Sequence, residues 1–505
     1  MNPLFLFVRP PRPLWPFNSP ASAFWPPLAF ASLAAALRER VPEVRVEILD
    51  APALQMGWRT LEARIHQLQP AFVGIGEEAV SCVEGLRLAR IARDCGSRII
   101  AGGCFFGQVA PEALGTGLID VVVHGEGEVT LVEVVQALLD SSPDALAKVK
   151  GISYTASSPS AGAITTTAPR ELLPNLDALP FPAYDLLPVE RYGTRSINHP
   201  RLAAIESSRG CFGSCDFCVL WRQMGRVVDG RMTPQFRTKS PERLLEEVRI
   251  LVRHYGRRYL GWVDPCFNAH PQVPGRLAEL MLREDLRVGQ SAWVRTDALV
   301  RDAASGSLAS CVEAGLNEVY LGIERSDGAS LASLHKTSGV DDARTALGLL
   351  RMRFPDVLAI GSFIYGLPGD TPEAVRAIHQ LAVDLDLDQF FFIPLTPLPG
   401  TAAWRPELWD PTGERFREYN FLPSGRPHGR HAELERALLW SLLTHWPPAR
   451  WRGYYHQLFT QRGRRRRVCR RLTLRGAAFH LGRIIKRITG GPDNLGLVFP
   501  RWYET

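Results

Sequence analysis

Over the first 145 residues, short apolar runs alternate with longer stretches of helical spacing. Leu4-Phe5-Leu6-Phe7-Val8 predicts a short apolar strand, and a Pro-rich loop separates it from a helix over Leu28–Arg40. Val44–Asp50 alternates as a strand, Ala71–Gly76 is a buried apolar strand, and Cys82–Cys95 returns to helical periodicity. Arg98–Gly103 and Ile119–Val123 read as two further strands, and Val129–Leu139 as an amphipathic helix. Strands that alternate with helices predict a parallel sheet covered on both faces. Residues 1–145 are therefore expected to form an α/β, doubly wound, Rossmann-like domain. Such sheets bind ligands past the carboxyl ends of their strands. Those ends carry Gly76, Gly102-Gly103 and Gly125-Glu126-Gly127-Glu128.

The pattern then lapses. Residues 156–169 are rich in Ser, Thr, Ala and Pro, and Leu179-Pro180-Phe181-Pro182 follows, so residues 146–199 read as a linker. Between residues 200 and 400 the alternation resumes. Strands are predicted at Leu202–Glu206, Tyr259–Asp264, Ser291–Arg295, Glu318–Glu324, Ala359–Gly369 and Gln389–Pro394, with a charged helix over Glu242–His254. Repeated βα units of this length predict a partial TIM-type barrel, with chemistry on the loops at the carboxyl strand ends. Asp264, Arg295, Glu324 and Gly366 fall at such ends.

Composition changes the picture in two places. The chain has 505 residues, 46% hydrophobic content and a formal charge of +7, within the ordinary range of a soluble protein of two or three domains. Ten Arg and one Lys fall in residues 461–490 with no acid among them, so the basicity belongs to a tail. Three of the nine Cys are clustered; the other six, Cys82, Cys95, Cys104, Cys266, Cys311 and Cys469, are scattered. That usage fits a reducing cytoplasm rather than a disulfide framework. Neither a secretory signal nor an apolar stretch of spanning length is visible.

The clustered cysteines form the run Ser208-Arg209-Gly210-Cys211-Phe212-Gly213-Ser214-Cys215-Asp216-Phe217-Cys218. Three thiolates on one short loop suit a cubane 4Fe–4S cluster with one iron left open. Structural zinc would need a fourth ligand at a second short spacing, and no CxxC or HxxxH follows. This run resembles the cluster loop of the radical S-adenosylmethionine superfamily, down to the aromatic Phe217 before the last Cys. The resemblance implies Cys211, Cys215 and Cys218 as cluster ligands, an open iron that chelates S-adenosylmethionine, and its reductive cleavage. It implies that Phe217 lies against the adenine and that Asp264 contacts the amino group of the methionine moiety. By the same resemblance Arg295 lies near its carboxylate, Glu324 near the ribose or methionine, and Gly366 on the strand beside the adenine.

Ahead of this block, Trp25-Pro26-Pro27-Leu28, Gly102-Gly103 and Val123-His124-Gly125-Glu126-Gly127-Glu128 resemble the cobalamin-binding domain of one large radical S-adenosylmethionine subfamily. Pro27, Gly76, Gly102, Gly103, Gly125 and Glu126 are implied as corrin contacts. No DxHxxG is present to offer histidine to cobalt, and His124 reads as a hydrogen-bonding loop residue. Cys104-Phe105-Phe106 follows the glycine pair where relatives often carry His.

The implied activity is C-methylation of an unactivated carbon. The alternatives are a non-methylating relative resembling the anaerobic magnesium-protoporphyrin ester cyclase, and a sensor without turnover. A small-molecule or peptide substrate and an electron donor such as flavodoxin or ferredoxin are the implied partners, with no nucleic acid. Residues 401–505 read as a helical, Arg-rich region. In it Leu472, Leu474, Phe479, Leu481, Ile484, Ile485 and Ile488 project largely to one face opposite Arg and Lys. That pattern fits either a peripheral membrane contact or a helix packed on the barrel.

Overall fold

Strand β1 (Leu4–Arg9) is buried throughout and organises the first domain. Leu4, Leu6 and Val8 point into one core, with residues of the helices Trp58–Leu68 and Cys82–Asp94. Phe5 and Phe7 point into another, with the helices Leu28–Arg40 and Gly127–Asp140. The period-two alternation of a strand thus feeds two apolar layers at once. This computed structural model describes residues 2–13, 25–140, 142, 144–155, 163–194, 196, 198–418, 431–444, 468 and 499–505.

With β2 (Arg45–Asp50), β3 (Phe72–Ile75), β4 (Arg98–Ala101) and β5 (Val121–Val123), β1 forms parallel pairs in the order β2-β1-β3-β4-β5. This is the flavodoxin-like doubly wound order, whose switch point lies between β1 and β3. The sheet extends further than its first 145 residues. β6 (Ile152–Thr155) and β7 (Ile164–Thr166) add antiparallel to the edge, so part of the expected linker belongs to the sheet. Their Ser and Thr content reads as linker, but Ile152 and Tyr154 are buried, and β-branched residues suit an edge strand.

β8 (Leu202–Ile205) opens the second domain. β9 (Ser208–Gly210) leads into the cysteine loop and pairs with β12 (Phe236–Thr238), while β10 (Arg226–Val228) and β11 (Arg231–Thr233) form an exposed hairpin between them. β13 (Tyr259–Trp262), β14 (Gly289–Val294), β15 (Leu316–Glu324), β16 (Leu358–Tyr365) and β17 (Gln389–Pro394) complete an open, six-stranded parallel sheet in the order β17-β16-β15-β14-β13-β8. Its outer face packs on helices that include Val273–Arg283, Thr296–Ser305, Val340–Arg353 and Pro372–Asp384. The expected partial barrel is the observed one. The expected strand Ala359–Gly369 ends at Tyr365, because Gly366 and Gly369 turn with φ of +87°.

Residues 499–505 return to the first domain. Trp58 N donates to Tyr503 O and Thr60 N to Thr505 O, capping the free N–H groups that open the helix Trp58–Leu68. Apart from Val468, residues 445–498 lie outside the described residues, and with them Cys469 and the Arg-rich helix expected there. Among the described residues no helix is long and apolar enough to cross a membrane.

Candidate cofactor site

The cysteine loop is fixed at its entrance by Asp264. Its carboxylate accepts from Ser207 N, Ser207 Oγ and Ser208 Oγ at 2.6–3.2 Å, at 1% exposure. Burial raises this carboxyl above its usual range even with three donors on it. Asp264, the residue expected to meet the amino group of S-adenosylmethionine, is turned to the β8–β9 junction. The end of β13 lies directly beside that backbone, and a buried carboxylate takes the nearest N–H and O–H donors.

Beyond the junction, Cys211, Cys215 and Cys218 are half-buried free thiols. A Cβ placed on Gly213 would lie 3.6 Å from Cys215 Sγ, 3.7 Å from Cys211 Sγ and 3.6 Å from Arg295 Nη1. The loop thus wraps two thiols and a guanidinium around one bare glycine. Gly213 N donates to Cys211 Sγ at 3.3 Å. Burial pushes the Cys215 thiol up to about 11, against the Lys336 ammonium, and raises that of Cys218 too. Among the described residues no three His, Cys, Asp or Glu side chains converge tightly enough to grip one ion. Three thiols spread over one loop fit the separate irons of a cubane better than a single zinc.

Glu324 ends β15 with φ of +71°, a left-handed conformation rare for a side chain of its size. Such strain costs about 1–3 kcal/mol and needs surrounding structure to hold it. Lys336 Nζ stands 3.8 Å from Glu324 Oε1, and both atoms lie over Gly322, where a Cβ would meet them at 3.1 and 2.6 Å. An acid and a base thus stand together near the cysteine loop, the pairing that a zwitterionic amino acid moiety requires.

Arg295 is held by Asp297 through Nε and Nη2 and by Thr337 Oγ1. Phe217 packs with Leu334, Ile364 and Leu367 beside Gly366. The Gly366–Gly369 turn is clamped from below: Gly366 N donates to Asp370, whose carboxylate is gripped by the buried Arg325 at 2.5 and 2.9 Å.

In the first domain, Gly76, Gly102, Gly103 and Gly125 all lie at carboxyl strand ends, and Pro27 starts the helix whose Phe30 underlies Gly76. Gly103 has φ of +82°, and a Cβ there would stand 3.9 Å from Gly76 Cα. The result is a bare glycine surface on which a flat macrocycle can approach backbone, and so it fits a corrin. His124 spends both ring nitrogens locally: Nδ1 lies 3.0 Å from Gly107 O and Nε2 2.8 Å from Ser153 Oγ. Burial lowers its pKa, so it is a neutral loop residue.

Glu126 is engaged across the domain boundary. Its Oε1 accepts from Arg209 and its Oε2 from Arg237 and Leu173 N, at 2.8–2.9 Å. Burial would raise its pKa, but the Arg237 hydrogen bond and the Arg209 charge pull it below the usual range. The carboxylate therefore faces the second domain. Arg209 also bonds Glu128 and Glu206. In the sequence Arg209 stands out only as a strong base between a strand and the first Cys, with a Gly-Glu-Gly-Glu turn to answer it.

The two seats adjoin. Gln223, on the short helix Leu220–Gln223 after Cys218, accepts from Cys104 Sγ, and its carbonyl lies 3.9 Å from where a Cβ would stand on Gly125.

Residues 205–382 match the family model of the radical SAM superfamily and residues 18–135 that of the B12 binding domain. An uncharacterised methyltransferase of Pyrococcus horikoshii is 30% identical over 75% of this chain and 78% of its own length. The anaerobic magnesium-protoporphyrin IX monomethyl ester cyclase of Rubrivivax gelatinosus is 25% identical over 79% of this chain and 69% of its own. Among solved structures, the radical S-adenosylmethionine methyltransferase TsrM of Kitasatospora setae, with cobalamin and a [4Fe-4S] cluster bound, superposes with a TM-score of 0.60. It is 19% identical and covers 80% of this chain and 74% of its own.

Proposed function

The chain belongs to the cobalamin-binding radical S-adenosylmethionine family, with a 4Fe–4S cluster, S-adenosylmethionine and cobalamin as cofactors, and from that premise we propose that it methylates an unactivated carbon. When bound, the cluster with S-adenosylmethionine supplies a carbon-centred radical, and the corrin supplies the methyl group. Cys211, Cys215 and Cys218 would hold the cluster. Glu324 and Lys336 would orient the amino acid moiety, with Arg295 near its carboxylate and Phe217 and Gly366 against the adenine. Gly76, Gly102, Gly103 and Gly125 would carry the corrin with no histidine beneath it.

The observation that carries this reading is the shared Gln223: the helix that follows Cys218 touches the loops after β4 and β5. A hydrogen-abstracting centre and a methyl source on these seats would face one space, so a single substrate carbon can be reached by both. An external one-electron donor such as flavodoxin or ferredoxin would reduce the cluster, and liposome cosedimentation decides between an Arg-rich tail that meets an anionic membrane surface and one packed on the barrel.

Product analysis on the anaerobically reconstituted protein tests the activity. Each turnover should yield one 5′-deoxyadenosine, one S-adenosylhomocysteine and a product heavier by one methylene unit. 5′-Deoxyadenosine with a product of unincreased carbon count would turn the assignment to the cyclase-like chemistry of the Rubrivivax relative.

A further inference from the structure

Parallel strands are ordinarily buried on both faces, and the inside of a closed barrel is filled by its own side chains. The second sheet departs from this on one face. Leu260, Trp262, Ala292, Val294, Val319 and Leu321 point outward into the helical core. The opposite parity points inward, and there Trp293 is 40% exposed and Val263 41%. Trp293 sits on β14, an interior strand, so sheet-edge position does not account for its exposure. It pairs in register with Tyr320 on β15, and the two rings stack at 5.0 Å and 28°. Phe391 on the edge strand, opposite Ser362, shares this face two residues further along the strands.

The depth and charge of this face are also defined. Two residues before Val263, on β13, the ring of Trp25 lies against Gly261 so closely that a Cβ there would fall 2.2 Å from it. Trp25 enters from the first domain and closes that end of the face. At the other end stand Glu324 and Lys336 over Gly322, beside the cysteine loop. The acids of the face are already held: Glu318 by His199 and the Tyr320 hydroxyl, Glu324 by Lys336. From β13 to β17 four interstrand spacings give a width of about 19 Å.

We propose that this inner face, centred on the stacked Trp293–Tyr320 pair with Val263 beside it, seats the flat, apolar part of a small-molecule substrate. The proposal rests on the methylating reading above and adds the substrate class. A face with exposed aromatic rings, no uncommitted acid among the described residues and a width of several fused rings selects apolar area and stacking over ion pairing. A charged or strongly polar peptide would have to strip its own hydration there without compensation. Tyr320, fixed by its bond to Glu318, keeps the platform rigid.

Pyrene, a flat, uncharged and fluorescent probe, tests the seat on the full chain reconstituted with cluster and cobalamin. Binding should quench tryptophan emission and shift the vibronic band ratio of pyrene towards its apolar value, with one site per chain. Trp293→Ala and Val263→Asp should each weaken binding about tenfold or more (about 1.4 kcal/mol per decade). Trp293→Phe should keep it within about threefold, which separates ring stacking from general damage, and cobalamin and iron content report folding. Val227→Asp, on the exposed hairpin, should leave it unchanged. Absence of a site in the wild type, undiminished binding in Trp293→Ala, or loss in Val227→Asp would each overturn the seat. Wild-type formation of 5′-deoxyadenosine is read separately, so the cofactor chemistry and the substrate class can fail independently.

Discussion

Arg209 Nη2 donates to Glu128 Oε1 at 2.6 Å, joining the strand that enters the cysteine loop to the first turn of the helix Gly127–Asp140. Glu128 is 7% exposed and Arg209 6%. Around the same guanidinium stand Glu126 and Glu206 at 2.9 Å. The base lies two residues before Cys211, and Glu126 directly follows Gly125. One buried ion cluster therefore sets the distance between the two cofactor seats.

Removing that base should be costly. Arg209→Ala leaves the buried carboxylates of Glu126 and Glu128 and the partly buried one of Glu206 around an empty site, and breaking such a cluster from one side costs about 3–5 kcal/mol. Urea unfolding should show a lower midpoint, and cobalamin retention on gel filtration should fall with it. Arg209→Lys should recover only part of the loss, because an ammonium cannot span Glu126 and Glu128 at once. A midpoint for Arg209→Ala within experimental error of wild type would mean the cluster does not couple the domains.

Replacing Cys211, Cys215 and Cys218 together by Ala should abolish the brown cluster absorbance and all 5′-deoxyadenosine formation. Cys82, Cys95, Cys104, Cys266, Cys311 and Cys469 should each accept Ala with the cluster intact. Reductive cleavage of S-adenosylmethionine by the triple variant would remove the assignment.

The strained Glu324 makes a sharper test of the S-adenosylmethionine seat. Glu324→Gln keeps the shape and removes the charge that answers Lys336. S-adenosylmethionine affinity, measured by equilibrium dialysis, should fall about 10- to 100-fold, the equivalent of one charge-assisted hydrogen bond of about 1.5–3 kcal/mol. Unchanged affinity would leave Glu324 and Lys336 as a structural pair.

His124 supplies a pH signature. Its folded pKa lies below the ordinary 6.5 because burial disfavours the charged ring. At pH below 6.5 the unfolded chain thus binds more protons at this site than the folded one, and stability falls as pH falls through that window. His124→Asn should remove this component from thermal melts between pH 7 and pH 5. The same variant should leave the electron paramagnetic resonance of bound cob(II)alamin unchanged, without nitrogen splitting from below. A triplet splitting that His124→Asn abolishes would make the residue a cobalt ligand.

The sequence by itself determined the two sheets and their order. Period-two alternation in β2, continuous apolar runs in β1 and β3, and helical spacing between them are local properties, and burial enforces them. The CxxxCxxC loop was legible for the same reason: its three thiols lie within eight consecutive residues and need no distant partner. What the tertiary structure decided was the direction of each acid. Glu126 reads as a cofactor contact because it follows Gly125, yet Arg209, 83 residues away, draws it across the domain boundary. Asp264 reads as a strand-end ligand, yet Ser207 and Ser208 from β8–β9 saturate it. β6 and β7 read as linker because Ser and Thr serve an edge strand and a loop equally well until a neighbouring strand offers hydrogen bonds. A carboxylate hidden from water goes to whichever donors the fold brings within 3 Å, and that choice is not written in the residues beside it.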